Sequence, residues 1–441
     1  LKRTAVAIIA ICFVLILSCT QALDWSKITF PCNEQRPCTT GYICDNGFCV
    51  SQHIAEGTTP DAGTPEQIIS DSPYRPPLPQ PRVAFLYVGP IGDFGWTWAH
   101  EQGRLHLDKL GYDTTAAESV SVKDAPAQME TFIKRGYNVV IGTSHDFLVP
   151  MLSSSAKFED INFLNCSGFE VSKNLGSYFG RLYQMEWLAG MVAGKMTKTN
   201  RVGIITAIAI PEMVRHINAF VNGVRYANPK AVVLIRWIGN WFDPVREGPL
   251  TQELLDANAD VIHSHTDTSI PLEYIENKGG DPRQTKDGDQ VYTIAYNSIN
   301  GCSFGLRTCL TSVYWNWGPV LERIITQIKQ GKWDPSVIIW EQLKSDKGDS
   351  CFYMSDLSDK VPGQSRMEIM GMIPKLAKEG QEGQQMPFAA PQIDNNGKVR
   401  LAQGKYFSDQ DLLNMCWFVS GVTEDDGVKP AQVPPECKGD R

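Results

Sequence analysis

From Arg82 onward, short apolar runs alternate with longer amphipathic ones. The runs "RVAFLYV" (82–88), "NVVIGTS" (138–144), "INFLNCS" (161–167), "RVGIITA" (201–207), "AVVLIRWIG" (231–239), "DVIHSHT" (260–266) and "VYTIAYN" (291–297) are short and rich in β-branched residues. They predict buried strands. Between them, apolar residues recur at helical spacing. These stretches predict a helix from about Trp96 to Leu110, then "APAQMETFIKRG", "GRLYQMEWLAGMVAGKM", "PEMVRHINAFVNGVRYA", "LTQELLDANA" and a helix after "VYWNWGP". Strands alternating with helices imply parallel sheets covered on both faces. The rhythm is too long for one compact sheet, so it predicts two α/β lobes. No long internal repeat is present. After Lys347 the pattern weakens into turns, a hairpin within 379–399, and a final helix or strand in "SDQDLLNMCWFVSGV".

The segment ahead of Arg82 has a different character. "LKRTAVAIIAICFVLILSCTQA" places Lys2 and Arg3 before a short apolar core and then small residues, the layout of a secretory signal at 1–22. Cleavage after Ala22 is one outcome. A lipid membrane anchor at Cys19 is the other, with Ser18 suited to a lipidation box and Leu17 atypical in it. Residues 23–51 hold Cys32, Cys38, Cys44 and Cys49, with Gly and Pro between them and no room for a core. This is read as a small disulfide module, with three pairings open. A zinc knuckle is disfavoured because no C-x2-C pair occurs. Residues 52–81 are rich in Pro, Ser, Thr and acids and are read as a linker. The globular domain is expected at 82–425 and a tail at 426–441.

The chain has 441 residues and a formal charge of −8, with no long basic run. This speaks against nucleic acid and anionic membranes as partners. Twelve cysteines accompany the export signal. Cys302 and Cys309 are spaced to close a short loop. Cys166, Cys351, Cys416 and Cys437 have no assigned partner.

Several segments in order carry a family resemblance: "VGPIGDFGWTWAHEQG", "GTSHDF", "GSYFGRLYQMEWLAGMVAGKMTK", "IPEMVRHINAFVNGVRYANP", "WIGNWFDP", "HSHTDTS", "LTSVYWNWGP" and "LLNMCWFVSGV". Over roughly 82–422 the chain resembles the basic membrane protein family of solute-binding proteins, which includes purine nucleoside-binding lipoproteins. The resemblance implies a type 1 periplasmic-binding fold of two doubly wound lobes joined by a hinge. It implies a purine base or nucleoside in the cleft and delivery to an ABC permease; no acid–base constellation stands out in the sequence, so neither catalysis nor a cofactor is expected. The cysteine module departs from the usual member. It leaves room for a ligand-sensing secreted or surface protein that has no transporter.

The loop "GPIGDFGW" follows the first strand, where open α/β sheets bind ligands. Its glycines are spaced G-x-x-G-x-x-G, which does not fit a dinucleotide loop, and Trp96 stands where a pyrophosphate would approach. "GMVAGKM" lacks the spacing of a phosphate loop and reads as a close helix-packing face. Asp93 is therefore read as an acceptor for a purine edge and Trp96 as a face for the ring, against a helix cap and lobe packing as the plainer readings.

Ser144, at a strand end, can donate to a ligand. Trp241 is read as a contact, and Asp243 before Pro244 as a helix cap. The resemblance places Phe220 opposite Trp96 as a second stacking ring, the alternative being a core position on its helix. It places Asn297 where nucleoside-binding relatives carry an acid, and Trp315 where they carry a lysine. Both changes favour a free base such as adenine over a nucleoside. Ser144, His145 and Asp146 are consecutive and ill-placed for a catalytic relay. His263 and His265 share one side of a strand near Asp267 and are read as hydrogen-bonding groups rather than metal ligands. "NCS" (165–167) is a formal glycosylation acceptor inside a predicted strand.

Overall fold

The computed structural model describes residues 42–45, 48–51, 73–423, 430–435 and 437. The signal segment, Cys19, Cys32, Cys38 and most of the linker and tail lie outside the described residues. The chain divides into two units, 1–71 and 72–441. In the first, β1 (Tyr42–Asp45) pairs antiparallel with β2 (Phe48–Ser51), and the register sets Cys44 opposite Cys49.

In the second unit, two open sheets form two lobes. Lobe 1 runs through β3 (Arg82–Leu86), α1 (Trp96–Lys109), β4 (Asp113–Ala117), α2 (Ala125–Lys134), β5 (Val139–Gly142), α3 (Leu148–Lys157), β6 (Asn162–Cys166) and β7 (Leu175–Gly180). Helix α4 (Tyr183–Met196) crosses to lobe 2. There follow β8 (Arg201–Thr206), α5 (Pro211–Ala227), β9 (Val232–Trp237), α6 (Pro244–Asp256), β10 (Val261–His265), α7 (Ile270–Glu276), β11 (Tyr292–Ala295) and β12 (Cys309–Trp315). The chain then returns to lobe 1 with α8 (Trp317–Gln330) and β13 (Ile338–Glu341). It crosses a third time to β14 (Phe352–Met354), the hairpin β15 (Gln392–Ile393) and β16 (Val399–Leu401), and β17 (Val422–Thr423).

The lobe 1 sheet has the order β13-β7-β6-β5-β3-β4, all parallel. The lobe 2 sheet has the order β14-β12-β11-β10-β8-β9-β17, parallel except for β14. Each sheet reverses its winding between its first and third strands, β3/β5 and β8/β10. Both reversals open crevices at the strands' carboxyl ends. Side chains of β3, β5 and β6 face alternately into two cores on opposite sides of the sheet, as continuous apolar strands require.

Helix α4 is apolar on nearly every side, because it is buried between the lobe 2 sheet and α5. The approach to α5 depends on glycine. A Cβ at Gly190 would overlap the Phe220 carbonyl, and one at Gly223 would overlap that of Trp187. "GMVAGKM" is thus a helix-packing face. Asp243 accepts from the backbone N–H of Val245 and Arg246 and caps α6, with Pro244 at its first position.

Cys302 and Cys309 form a disulfide, as their spacing predicts, and Cys416 pairs with Cys437. Cys166 and Cys351 are buried free thiols. The end of the expected linker is not detached. Arg75 N–H donates to the Trp333 carbonyl and Leu78 N–H to that of Ile328, so residues 75–78 dock on lobe 1. The tail is held as well, since Asn395 donates to the Ala431 carbonyl. Hydrogen bonds to backbone carbonyls thus hold segments whose composition is that of loops.

Candidate functional site

The two winding reversals face each other across a cleft. From lobe 1 come Val88 and Trp96 after β3, Ser144 and His145 after β5, and Ser167 after β6. From lobe 2 come Ala207 after β8, Glu212 and Met213 at the start of α5, Trp241 after β9, His265 and Asp267 at the end of β10, and Tyr296 after β11. The inner chamber is narrow, about 20 Å3, little more than one water needs. A second chamber of about 200 Å3 adjoins it and shares His145, Ser167 and Glu212; its far wall includes Phe169, Arg215 and Trp340. A planar ring therefore enters the inner chamber only when the rims separate.

Several contacts join the rims. The indole N–H of Trp241 donates to Asp146 of lobe 1 at 3.2 Å. Phe94 and Phe304 meet edge to face at 5.5 Å. Gly95 lies against the Asp267 backbone, where a Cβ would stand 2.9 Å from the carbonyl oxygen. Three crossings connect the lobes, near 181, 316 and 342–351. They are tied together by Arg181 N–H to the Glu341 carbonyl, Asn316 N–H to that of Cys351, and Leu343 N–H to the Gln184 side chain. Short, cross-braced connections of this kind permit a hinge.

The site residues read from the sequence divide in two. Trp96, Ser144 and Trp241 line the chamber. Trp96 is fixed by its indole N–H on the Thr143 carbonyl and by edge contacts to Trp315 and Trp317. Ser144 Oγ accepts from Asp146 N–H at 3.2 Å, which leaves its own proton available.

The other four lie elsewhere. Asp93 spends both oxygens on backbone: Oδ1 accepts from Gly95 and Trp98 N–H, and Oδ2 from Thr97 N–H. It caps α1, because the loop leaves those N–H groups without intrahelical partners. Phe220 is wholly buried and stacks on His263 at 5.0 Å, so it forms no sandwich with Trp96. The face of α5 that carries it turns to α4 and the sheet. Trp315 stacks on Trp317 at 4.5 Å in the core. Asn297 lies behind the wall, where its amide donates to Asp267 Oδ1 at 2.7 Å. It holds a cleft acid and takes no place on the cleft surface itself.

The strongest chemistry in the cleft had not been assigned from sequence. Two acids stand there: Asp267 is buried and Glu212 is half-buried. Burial, then the nearby Asp93 charge, pushes Asp267 well above the usual carboxylate range, with the Asn297 amide opposing. Burial raises Glu212, with Arg215, His145 and Ser167 opposing. Asp267 stands two residues past the end of β10, and the strand-end rule at a winding reversal would have pointed to it. Glu212 follows Pro211 at the helix start, where an acid reads first as a helix-terminal charge.

His145, Ser144 and Asp146 form no relay: Asp146 accepts from Trp241, and His145 faces the ring of Phe169. Asn165 is buried, with its amide on the Ser144 carbonyl, so the "NCS" sequon is inaccessible.

A family model described as "ABC transporter substrate-binding protein PnrA-like" matches residues 80–347. The chain belongs to this family, Bmp. The family is one of substrate-binding proteins. A purine-binding protein of Brucella abortus (strain 2308) is 29% identical over 351 residues, 78% of this chain and 93% of that one. A putative ABC transporter glucose-binding protein of Haloferax volcanii is 32% identical over 287 residues, 64% of this chain and 69% of that one. Among solved structures, a transcriptional activator of the comK gene from Bacillus halodurans superposes with a TM-score of 0.57 at 23% identity, covering 68% of this chain and 99% of that one. The Bmp assignment accords with two doubly wound lobes and a cleft between them. Among the described residues no helix is long and apolar enough to cross a membrane.

Proposed function

We propose that this chain captures a purine base or nucleoside outside the cytoplasm for an ABC transporter. The carrying observation is the inner chamber, which joins aromatic faces (Trp96, Trp241, Tyr296) to two carboxyl groups, Asp267 buried and Glu212 half-buried, and has no lysine or arginine on its wall. Stacking on an aromatic contributes about 1–3 kcal/mol per base. Carboxylate oxygens accept from ring N–H and exocyclic amines. An anionic nucleotide would meet two acids on the inner chamber's wall, where no lysine or arginine lines it. The name of the Brucella relative, a purine-binding protein, supports this reading. Closure follows because Trp96 belongs to lobe 1 and Asp267 to lobe 2, so a ring held by both stabilises the shut form.

A free base binds at least as tightly as its nucleoside in this reading. Asn297 is occupied by Asp267 and Trp315 by Trp317, so neither reaches toward a ribose. The outer chamber still leaves space for one. Calorimetry with adenine, guanine, adenosine, guanosine and glucose tests the proposal. Purine binding with a base at least equal to its nucleoside is the expected result. Tight glucose binding without purine binding, as the name of the Haloferax relative would suggest, overturns it. Purine binding by a chain that also captures a partner through residues 23–81, without a permease, would place the same cleft in a sensor.

A further inference from the structure

At and behind the lobe 2 wall of the cleft stands a group of four polar side chains, of which His265 alone also lines the inner chamber. Glu186 of α4, and His263 and His265 of β10, are 0% exposed, and His216 of α5 is 1% exposed. His263 Nδ1 lies 3.2 Å from the Ile294 carbonyl and so carries a proton to donate. Its Nε2 lies 2.8 Å from Glu186 Oε2. His265 Nδ1 lies 3.2 Å from Thr206 Oγ1, and its Nε2 points to Glu186 Oε1 at 3.6 Å, too far for a hydrogen bond. One donor atom from each of Glu186, His263 and His265 falls within 4.8 Å of the others. Glu186 Oε1, His265 Nε2 and both ring nitrogens of His216 have no hydrogen-bond partner despite complete burial. Orphaned groups of this kind are costly unless something else satisfies them.

We infer that Glu186, His263 and His265 form a site for a divalent transition-metal ion, zinc foremost. Three independent features agree. Zinc held by imidazole nitrogen and carboxylate oxygen at about 2.0–2.2 Å places its ligands roughly 3.3 Å apart, near the His265–Glu186 separation. Each imidazole has its Nδ1 on a carbonyl or hydroxyl, which fixes Nε2 toward the common point; metal-bound histidines are held in the same way. The donor set is two imidazoles and one carboxylate, which suits zinc and its neighbours rather than calcium or magnesium. A hydrogen-bond network alone accounts for the Glu186–His263 contact but leaves His265 Nε2 and Glu186 Oε1 unsatisfied. An ion there would tie the crossing helix α4 to the strand whose end carries Asp267.

The test uses the full chain, stripped with chelator and titrated with zinc alone, then with cobalt as a spectroscopic probe. The expected result is one zinc per chain, a rise in Tm on zinc addition, and cobalt d–d bands of a nitrogen and oxygen site without a thiolate charge-transfer band. H263Q, H265Q and the near-isosteric E186Q should each weaken zinc affinity at least tenfold. H216Q should weaken it less. H106Q, at a surface His106–Glu322 pair, should match the wild type. Absence of zinc binding, a thiolate band showing cysteine ligation, or undiminished affinity in folded E186Q and H263Q would each overturn the assignment.

Discussion

The two lobes share a winding order and present the same kind of crevice to the cleft, yet they furnish it differently. In lobe 1 the loop after the first strand is dense in functional-looking residues, but its acid is consumed in shaping the loop. Asp93 satisfies three backbone N–H groups, and the lobe presents to the chamber mainly Trp96, the Ser144 hydroxyl and His145. In lobe 2 the equivalent loops look plainer, yet they deliver Glu212, Trp241, Asp267 and Tyr296 to the surface. A common topology sets where a ligand can bind, and each lobe's own hydrogen bonding decides which side chains remain available to bind it. In the proposed binding mode, lobe 1 supplies a rigid face and lobe 2 the polar recognition.

Truncating the lobe 2 acids should produce the largest effect. A hydrogen bond to a charged group contributes about 1.5–3 kcal/mol, so D267A or E212A should weaken binding of the purine identified by calorimetry by roughly 10–100-fold. Equal losses from D93A would break the contrast between the lobes.

Much of this arrangement was legible in the sequence, and the gaps have physical causes. The strands β3, β5, β6, β8, β9, β10 and β11 are fully or largely buried and announce themselves as apolar runs. β4 reads "DTTAA" at a sheet edge and carries no such signal. Helix α3 contains Pro150 and three consecutive serines, so its periodicity is weak. Trp96, Ser144 and Trp241 could be placed because strand ends at a winding reversal face the cleft. Phe220 could not, because α5 is buried on nearly all sides and periodicity cannot single out one face. Asp93 had two readings from the start, cap or contact, and only the positions of the surrounding N–H groups choose between them. In the sequence Asp267 reads merely as a neighbour of His265. Its importance depends on β10 lying beside β8, a pairing that no local pattern encodes.

The next effect concerns closure. Gly95 of lobe 1 approaches the Asp267 backbone in the shut form, and a methyl group there would crowd a carbonyl. Overpacking of this kind costs about 1–3 kcal/mol. Because the cost arises only when the lobes meet, G95A should lower affinity about tenfold with little change in the Tm of the unliganded chain. Small-angle scattering should show a more open average shape. A large fall in Tm would mean that Gly95 serves lobe 1 itself and does not report on its meeting with lobe 2.

Loss of the Asp93 cap should act on stability more than on recognition. Helix-cap removal costs about 0.5–2 kcal/mol. D93A should therefore lower Tm by a few degrees while moving affinity severalfold at most. Thermal melts beside calorimetry separate the two effects.

The smallest effect isolates the stability cost of placing acids on the lobe 2 wall. Asp267 titrates above the usual carboxylate range because burial and Asp93 disfavour its charge. A group raised in the folded state binds protons more tightly there than in the unfolded chain. Its contribution to stability is complete below the ordinary carboxylate value, about 4, and is lost as pH rises through the raised value. D267N removes that titration while keeping an oxygen for the Asn297 amide. Its Tm should exceed that of the wild type by roughly 1–3 °C at neutral pH, and the difference should shrink as pH falls toward 4. Glu130, lowered to about 2 by Lys134 and Lys157 on the surface, works in the opposite direction but is common to both proteins and cancels in the comparison. A pH-independent difference would show that the gain comes from packing. A gap that closes with acid would show that the unliganded protein is destabilised by the same carboxyl group that the ligand's N–H donors are proposed to satisfy.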